Sequence, residues 1–350
     1  MSEISQVLKV LGAIAPQTSR QETLETQPGQ LDPFLLKRAF ASVLDGGASD
    51  LEAGALMGAS AIVERSRDAM RYGPLLLALA EVAHERISVL EVPGNSPAVV
   101  LPNYADTFSR PQTALLALLM RRIGVRVLIH GALETNGGLF TTGVLREFGV
   151  LPATSRSQAA RSLEQEGICL APTTLFSPGM AALLSLRNRL GISTPAHHVA
   201  GLLVPLVDRP AGTAHVIEVA GWLKSLVEGE TCFMRVPAIM TVYSASEATG
   251  LPVPIIMFAD VARGTWSTLY GVEERRTVSN SQFTAVPAPW ETKAWANWTQ
   301  RMLDGKTPLP SSMLHMLAAC LHASGYARDL NEAKAVAAMA GANGGGLAAA

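Results

Sequence analysis

The chain has 350 residues, of which 48% are hydrophobic and 16% charged, so it is long enough for two domains with a sizeable buried core. Its formal net charge of −1 gives no overall sign of a nucleic-acid-binding protein, although a sum can hide a basic patch. Cys169, Cys232 and Cys320 lack the spacing of a disulfide framework, a metal site or a redox motif. No basic stretch precedes an apolar run at the start, and no apolar run approaches the roughly 18 residues that span a bilayer, so we predict a soluble, cytoplasmic protein.

The first ninety residues have the pattern of a helical unit. Asp32 and Pro33 are typical of the N-cap and first turn of a helix, which we expect to reach residue 44. Ser49 and Glu52 have the spacing of a capping box at the start of a second helix, and a third is predicted over residues 75–85. For the second helix we predict a core-facing apolar stripe formed by Leu51, Ala55, Leu56 and Ala59.

From about residue 88 the pattern changes to strands that alternate with helices. A strand is predicted at 99–101, and a helix begins near Pro111 and carries Arg121 and Arg122 in its last turn. The β-branched run 125–129 predicts a buried strand, which is followed by a loop rich in glycine and hydroxyl groups and by a short helix that ends at Gly149. This order of elements is typical of anion sites, because a helix N-terminus offers unpaired N–H groups. A plain strand–loop–helix connection is the alternative.

The second half of the chain continues in the same way. Strands are predicted at 168–171, 231–242, 255–258 and 266–270, and helices at 177–191, 216–227, 290–304, 311–324 and 330–339. The polar segment 151–167 is assigned no element, and residues 341–350, rich in glycine and alanine, are predicted to be disordered.

Arg187 and a histidine pair need separate comment. Arg187 shares a helical stripe with apolar residues, so its guanidinium must reach solvent, a structural carboxylate or a ligand anion. His197 and His198 are adjacent, and adjacent side chains cannot face the same way on a helix or a strand. We therefore predict no two-histidine metal site.

Three segments, in order, carry a resemblance to a known family. They are residues 48–56 (ASDLEAGAL), residues 127–131 (VLIHG), and residues 176–180 (FSPGM) followed by 186–194 (LRNRLGIST). The chain resembles the nucleoside phosphorylase/phosphoribosyltransferase group, which contains anthranilate phosphoribosyltransferase and pyrimidine nucleoside phosphorylase. The second segment is similar to the family's Lys-His-Gly stretch, and the third to its His-Pro-Ala-Met-Lys segment followed by Val-Arg-x-x-Leu-Gly-x-Arg-Thr.

This resemblance implies an α/β fold with a small helical domain and a larger α/β domain that contains a mixed, mostly parallel sheet. The implied helical domain comprises residues 1–92 with 178–206 and serves dimerisation. The implied α/β domain comprises residues 93–177 with 207–340, and a disordered tail follows at 341–350.

The chain departs from the family where the family binds diphosphate. The family's Gly-Thr-Gly-Gly-Asp loop is replaced by residues 101–106 (LPNYAD), and the family's lysine before His-Gly is Ile129 here. The family's Gly-Ser-Ala-Asp segment is replaced by residues 142–145, and its following glutamate falls on Arg146. The family's Asp-Glu pair, which binds magnesium, has no counterpart between Cys232 and Glu247. Without these acids, a magnesium-held diphosphate has little to bind it.

The missing diphosphate- and magnesium-binding motifs are similar to those missing from a divergent branch of the family, the YbiB-type proteins. What this similarity implies is a homodimer that binds DNA or RNA without sequence preference through an arginine-rich groove, with no catalytic residues, metal or cofactor. The expected nucleic-acid-binding residues are Arg110, Arg121, Arg122, Arg126, Arg146, Arg156, Arg161, Arg187 and Arg189. The expected remnant of the family's anion pocket consists of Asn103, His130, Gly131, Asn136, Thr141 and Thr142.

The charge distribution is compatible with that expectation but does not require it. Nine arginines lie between residues 109 and 189 against four glutamates, which is an asymmetry that a basic patch leaves in a sequence. Ordinary surface and helix-end arginines would give the same count. The competing function is a pentosyltransferase of the anthranilate phosphoribosyltransferase type with altered loops. In that alternative His130, Asn136, Thr141 and Thr142 hold phosphate, and Arg187 holds an acidic acceptor. A sensor of small anions or nucleotides, without chemistry, is a third possibility.

Overall fold

The computed structural model describes residues 7, 10–11, 31–67, 69–91, 96–104, 110–133, 140–206, 212–229, 236–245, 252–271, 287 and 291–342. Its α-helices are α1 (Pro33–Leu44), α2 (Asp50–Arg65), α3 (Ala69–Arg86), α4 (Arg110–Ile123), α5 (Phe140–Glu147), α6 (Arg156–Gln165), α7 (Pro178–Leu190), α8 (Pro195–Leu202), α9 (Lys224–Gly229), α10 (Thr292–Leu303), α11 (Ser311–Ala323) and α12 (Leu330–Ala342). Its strands are β1 (Ala98–Asn103), β2 (Arg126–Gly131), β3 (Ile168–Pro172), β4 (Thr213–Ala220), β5 (Ala238–Ala245), β6 (Pro252–Asp260) and β7 (Thr265–Tyr270).

By its internal contacts the chain forms two compact units. The first comprises Met1–Ser88 and Phe176–Leu203 and contains α1–α3, α7 and α8. The second comprises Val89–Leu175 and Val204–Ala350 and contains the sheet and the remaining helices. Within the described ranges, no helix is both long and apolar enough to cross a lipid bilayer. The dimerisation role of the helical unit and the cytoplasmic location stay predictions.

The helices of the first unit begin where the sequence predicts. The Asp32 carboxylate accepts a hydrogen bond from the Phe34 amide at 2.9 Å, and Pro33 occupies the first turn of α1. At α2 the predicted capping box is complete, because Glu52 and Ser49 satisfy each other's amides.

The predicted core-facing stripe of α2 is wrong in half of its members. Leu56 is fully buried, but Leu51 is 82% exposed and Ala55 is also exposed. The buried face instead consists of Ala53, Leu56, Met57, Ser60, Ala61 and Val63. Because α2 carries apolar residues on two faces, helical spacing alone could not tell which face meets the core.

A mixed, mostly parallel sheet of seven strands forms the centre of the second unit, as the fold class predicted. The strand order is β3-β2-β1-β4-β5-β6-β7. Strands β1 to β5 are parallel to one another, whereas β6 pairs antiparallel with both β5 and β7. One face of the sheet packs against α4, α5, α10, α11 and α12 through a continuous apolar core.

Two predictions of secondary structure fail in this unit. The predicted helix at 216–227 is β4 followed by a 3₁₀ turn and the short helix α9. β4 lies inside the sheet with both faces largely covered, so it lacks the polar–apolar alternation that would have identified it as a strand. In the polar segment 151–167, the structure contains α6, whose buried residues are Ala159 and Leu163. The spacing of Ser155 and Gln158, which is that of a capping box, was the available signal for α6.

Candidate functional site

The carboxyl ends of β1, β2 and β3 bring three candidate pocket residues to one edge of the sheet. In the parallel register, Asn103 at the end of β1 lies opposite Gly131 at the end of β2. His130 precedes Gly131 and lies opposite Ala171 of β3. Ligands of parallel α/β sheets bind at this edge, so the position suits a binding site.

His130 is held by a chain of hydrogen bonds. Thr173 Oγ1 donates to the Tyr104 hydroxyl at 3.0 Å, and the Tyr104 oxygen lies 2.9 Å from His130 Nδ1. The rings of Tyr104 and His130 meet edge to face, with centroids 5.3 Å apart. All three side chains are buried, and burial lowers the pKa of His130 to about 3 and raises the pKa of Tyr104. The imidazole is therefore neutral at physiological pH.

Asn103 and Gly131 form a close contact between neighbouring strand ends. A Cβ on Gly131 would lie 2.8 Å from the Asn103 Cβ, which is closer than two carbon atoms can pack. The Asn103 side-chain amide donates to the Ala132 carbonyl at 3.5 Å. Close packing of β1 on β2 thus explains Gly131 without a ligand.

The other pocket candidates lie elsewhere. Thr141 and Thr142 are each 3% exposed in the first turn of α5, whose Val144 and Leu145 join the apolar core on the face of Val127 and Ile129. Because side chains alternate along a strand, His130 projects from the opposite face. Asn136 lies outside the described residues. The structure therefore brings Asn103, His130 and Gly131 to one edge, and places Thr141 and Thr142 in the core layer beside α4.

Two of the nine candidate arginines are buried. Arg126 begins β2, is 9% exposed, and donates from Nη2 to the Ser96 carbonyl at 2.6 Å. Arg187 is 7% exposed in α7, and burial lowers its pKa. A guanidinium already desolvated inside the protein cannot also hold a phosphate on the surface, so neither residue suits a surface contact with nucleic acid.

Two further candidates are engaged by neighbours. Arg122 donates from Nη1 to the carbonyl of Leu303 at the end of α10. Arg189 forms an ion pair with Asp50, with 2.5 Å between Nη1 and Oδ2. That pair is largely exposed, so solvent screens it and it can open at little cost.

The remaining arginines are exposed on α4, α5 and α6. Arg121, Arg146, Arg156 and Arg161 all have exposed side chains and no ion pair with a described carboxylate. Arg110 begins α4, but its side chain lies outside the described set.

The arginines at the end of α4 are far from the candidate pocket. α4 ends just before β2 begins, so Arg121 lies at the amino edge of the sheet. Gly131 lies five residues beyond the first residue of β2. At about 3.3 Å per residue, the two edges are about 16 Å apart along the strand. Arg121 and His130 therefore do not form a single small-molecule site.

The histidine pair has structural partners. His198 Nε2 lies 2.7 Å from Glu64 Oε1, and His197 Nδ1 accepts from the Thr194 amide at 3.3 Å in the capping position of α8. Burial, and then the positive charge of Arg187, lower the pKa of His197 to about 4. No group of three metal-ligating side chains occurs in the described part of the chain.

Tyr104 and Thr173 are the site residues that sequence reasoning missed. Tyr104 was visible as the aromatic residue that follows the first strand, in place of a glycine of the family's loop. Thr173 gave no signal, because its role depends on the alignment of β3 with β2, which periodicity does not reveal.

No protein-family model matches the chain. In sequence it is similar to the uncharacterized protein YbiB of Escherichia coli (strain K12), with 24% identity over 308 residues, which cover 86% of this chain and 91% of that protein. The anthranilate phosphoribosyltransferase of Methanosphaerula palustris is 33% identical over 108 residues, which cover 31% of this chain and 30% of that enzyme.

Solved structures of the same enzyme match nearly the whole chain. Anthranilate phosphoribosyltransferase from Thermus thermophilus has a TM-score of 0.64 at 18% identity, covering 97% of this chain and 95% of that one. The Saccharomyces cerevisiae enzyme in complex with PRPP and Mg has a TM-score of 0.64 at 13% identity, covering 97% and 94%. The chain therefore has the anthranilate phosphoribosyltransferase fold, which confirms the fold predicted from the three segments. At these identities the likeness concerns the fold alone.

Proposed function

We propose that the protein is a non-catalytic, homodimeric nucleic-acid-binding protein that holds the phosphate backbone of DNA or RNA without sequence preference. The observation that carries this proposal is the set of four exposed arginines on α4–α6 that have no ion pair with a described carboxylate. From residue 110 to residue 166 the chain contains seven arginines and four glutamates, with no lysine and no aspartate. Arginine suits this role, because its planar guanidinium can donate two hydrogen bonds to one phosphate.

The chemistry at the carboxyl edge of the sheet supports a role without catalysis. The segment 233–246 contains no acidic residue, so the family's magnesium-binding pair is missing from the chain. Ile129 replaces the family's lysine and is fully buried. The neutral His130 is the only titratable side chain among the candidate pocket residues. Stabilising a diphosphate leaving group requires cations or a metal ion, which these residues do not supply.

Fluorescence anisotropy with a labelled single-stranded oligodeoxynucleotide tests the proposal. The variant Arg121→Gln/Arg146→Gln/Arg156→Gln/Arg161→Gln removes the four exposed charges. For single strands the slope of log K against log salt is about −0.7 per phosphate contact, so the loss of four contacts should make the slope shallower by about 3. The quadruple variant should also bind more weakly at low salt.

A matched control removes four exposed arginines elsewhere. Arg38→Gln/Arg263→Gln/Arg301→Gln/Arg328→Gln changes the net charge equally but should preserve most of the affinity and the salt slope, because none of these residues lies on the proposed dimer contact. Absence of binding by the native protein at low salt would sink the proposal. Equal losses in the two quadruple variants would show that total charge, and not this surface, governs binding.

A phosphoribosyl-diphosphate-binding protein is the second candidate, and one observation favours it. His130 Nε2 is a buried nitrogen with no hydrogen-bond partner among the described residues, at the edge where such folds bind ligands. Calorimetry with phosphoribosyl diphosphate and Mg²⁺ separates the two functions. Micromolar binding that disappears in His130→Ala would favour this candidate, whereas no heat of binding would leave the nucleic-acid proposal in place.

The outward face of α2 supports the homodimer. Leu51, Ala55, Gly58 and Ile62 fall on one stripe of the helix by their spacing, and Leu51 and Ile62 are 82% and 68% exposed. A Cβ on Gly58 would meet nothing within 4 Å, so no contact with the described residues calls for glycine in this mid-helix position. The absence of a side chain at Gly58 would allow a second copy to pack closely on α2.

The charges at the ends of α2 suit an antiparallel pair of these helices. Asp50 and Glu52 lie in the first turn, and Arg65 lies in the last. Around a two-fold axis, the acidic end of one α2 would meet the basic end of the other, and Leu51 would pack near the Ile62 of the second copy. Both the apolar stripe and the end charges of one α2 would therefore match those of a second α2 in the antiparallel arrangement.

A further inference from the structure

The hydrogen-bond chain at the carboxyl edge fixes the proton on His130. Because Thr173 Oγ1 donates to the Tyr104 oxygen, the hydroxyl hydrogen of Tyr104 is free to point to His130 Nδ1, 2.9 Å away. Nδ1 then accepts, and a neutral imidazole must carry its single proton on Nε2. The three residues thus present one N–H donor in a fixed direction.

That donor has no partner among the residues that the structure describes. His130 is 2% exposed, and its Nε2 atom is among the buried polar atoms that form no hydrogen bond. A buried donor without an acceptor costs free energy, so an acceptor that reached Nε2 would remove that cost. The bonds that join His130, Tyr104 and Thr173 do not involve Nε2.

The surroundings of His130 favour an uncharged acceptor. Its partners in the sheet register are Pro102 on β1 and Ala171 on β3, and Ile129 and Gly131 flank it on β2. None of these side chains carries a charge. A phosphate oxygen brought to Nε2 would lose water without gaining a cation from these four residues, which costs far more than dehydrating a carbonyl oxygen.

We propose that His130 Nε2–H binds a carbonyl oxygen or ring nitrogen of an unpaired nucleobase, and that Tyr104 and Thr173 are positioning residues that hold the imidazole in the required tautomer. The inference rests on the proposed nucleic-acid binding and names the part of the ligand that this edge receives. In a duplex the base edges are paired and stacked, so the site selects single strands. The arginines of α4–α6 contact the backbone, and His130 contacts a base.

Three probes of equal length test this assignment: oligo(dT), a backbone of abasic tetrahydrofuran units, and the oligo(dT)–oligo(dA) duplex. The native protein should bind oligo(dT) about tenfold more tightly than the abasic backbone, a ratio that corresponds to about 1.4 kcal/mol. His130→Ala should reduce the affinity for oligo(dT) to the abasic level and leave the abasic affinity unchanged. Thr173→Val keeps the imidazole and should give a smaller loss on oligo(dT) alone.

The tautomer itself is measurable by ¹⁵N NMR of the histidine side chains. Native His130 should show a protonated Nε2 and an unprotonated Nδ1 throughout the neutral pH range. Tyr104→Phe removes the hydroxyl and should yield a mixture of tautomers, whereas Tyr326→Phe, at an exposed tyrosine, should not. If Tyr104 only supported the fold, Tyr104→Phe would leave the preference for oligo(dT) over the abasic backbone unchanged.

The failure of this inference can be told apart from failure of the proposed function. Equal affinity of the native protein for oligo(dT) and the abasic backbone, with salt-dependent binding to both, would overturn the base contact. It would not affect the proposed arginine surface, which consists of Arg121, Arg146, Arg156 and Arg161. Equal losses on both probes in His130→Ala would overturn it as well. No binding to any probe at low salt would overturn both.

Discussion

Buried histidines make the stability of the protein depend on pH. His197 has a pKa near 4 in the folded state against 6.5 when unperturbed, chiefly because it is buried. Its folded pKa is depressed, so the unfolded chain binds more protons between these values. The stability contributed by neutral His197 is fully present above pH 6.5 and is lost as the pH falls toward 4.

His197→Gln should flatten this dependence. Glutamine at the third position of a helix can accept from the N-cap amide as His197 does, so the cap of α8 survives while the titration disappears. Urea denaturation as a function of pH should show a slope that is shallower by up to about 1.4 kcal/mol per pH unit between pH 6.5 and 4. At pH 8 the variant and the native protein should be about equally stable. An unchanged slope would mean that His197 is not buried neutral in the folded protein.

Gly131 should tolerate no side chain. The Cβ of Gly131→Ala would overlap the Asn103 main chain and Cβ, and relief would require β1 and β2 to separate at their ends. We expect a loss of about 1–3 kcal/mol in the free energy of unfolding, measured by urea denaturation. In Gly201→Ala the added Cβ meets nothing within 4 Å, so that variant should be neutral or slightly more stable. Equal stability of the two variants would contradict the packing argument.

For single residues, the sequence could indicate which face of a helix a residue lies on, but not which distant residue it contacts. The apolar stripe of α7 placed Arg187 on the core-facing side of the helix but left open whether its guanidinium reaches solvent, and the structure buries the residue. Arg126 is one of the expected nucleic-acid-binding arginines, yet it is buried against Ser96, a residue 30 positions earlier. That contact depends on how the chain folds back, which local spacing does not encode.

Among the elements, α2 differs from its neighbours in being apolar on two faces. Leu51→Lys should produce a monomer at concentrations where the native protein is a dimer, measured by size-exclusion chromatography with light scattering. Leu151 is a comparably exposed leucine, at 64%, in the second unit, and Leu151→Lys should leave the mass unchanged. Because Leu51 is already exposed within the chain, neither change should alter the unfolding of the monomer.

The ends of α2 offer a second test of the same surface. Arg65→Glu should weaken the dimer, because it places an acid against the acidic end of the second copy. Arg65→Glu/Asp50→Lys in one chain should recover part of the dimer affinity, since the lysine introduced in one copy then faces the glutamate introduced in the other. A monomeric native protein, or dimers insensitive to all of these changes, would rule out α2 as the contact.

Most elements of the fold follow from local signals, and the exceptions have identifiable causes. Caps and terminating glycines set the limits of α1, α2 and α7, and Gly191, with φ of +68°, ends α7 where predicted. β4 was mistaken for a helix because a strand buried on both faces loses its alternation. The resemblance implied a mixed, mostly parallel sheet but no strand order, and periodicity carries no information about which strands pair.

For the whole molecule, the two proposed surfaces should act together in binding. In a dimer, two arginine surfaces can engage one strand, so the second contact benefits from a high effective concentration. Leu51→Lys should therefore bind a long single strand at least about tenfold more weakly than the native protein, with about half the salt slope, since the number of phosphate contacts per particle is halved.

The length of the oligonucleotide provides the control for this avidity. On a strand too short to reach both protomers, Leu51→Lys and the native protein should have the same affinity per protomer and the same salt slope, because each contact is then made by one arginine surface. Anisotropy titrations over a series of lengths should show the two proteins diverging once the strand spans the dimer. Divergence at every length would instead place Leu51 itself in the nucleic-acid contact.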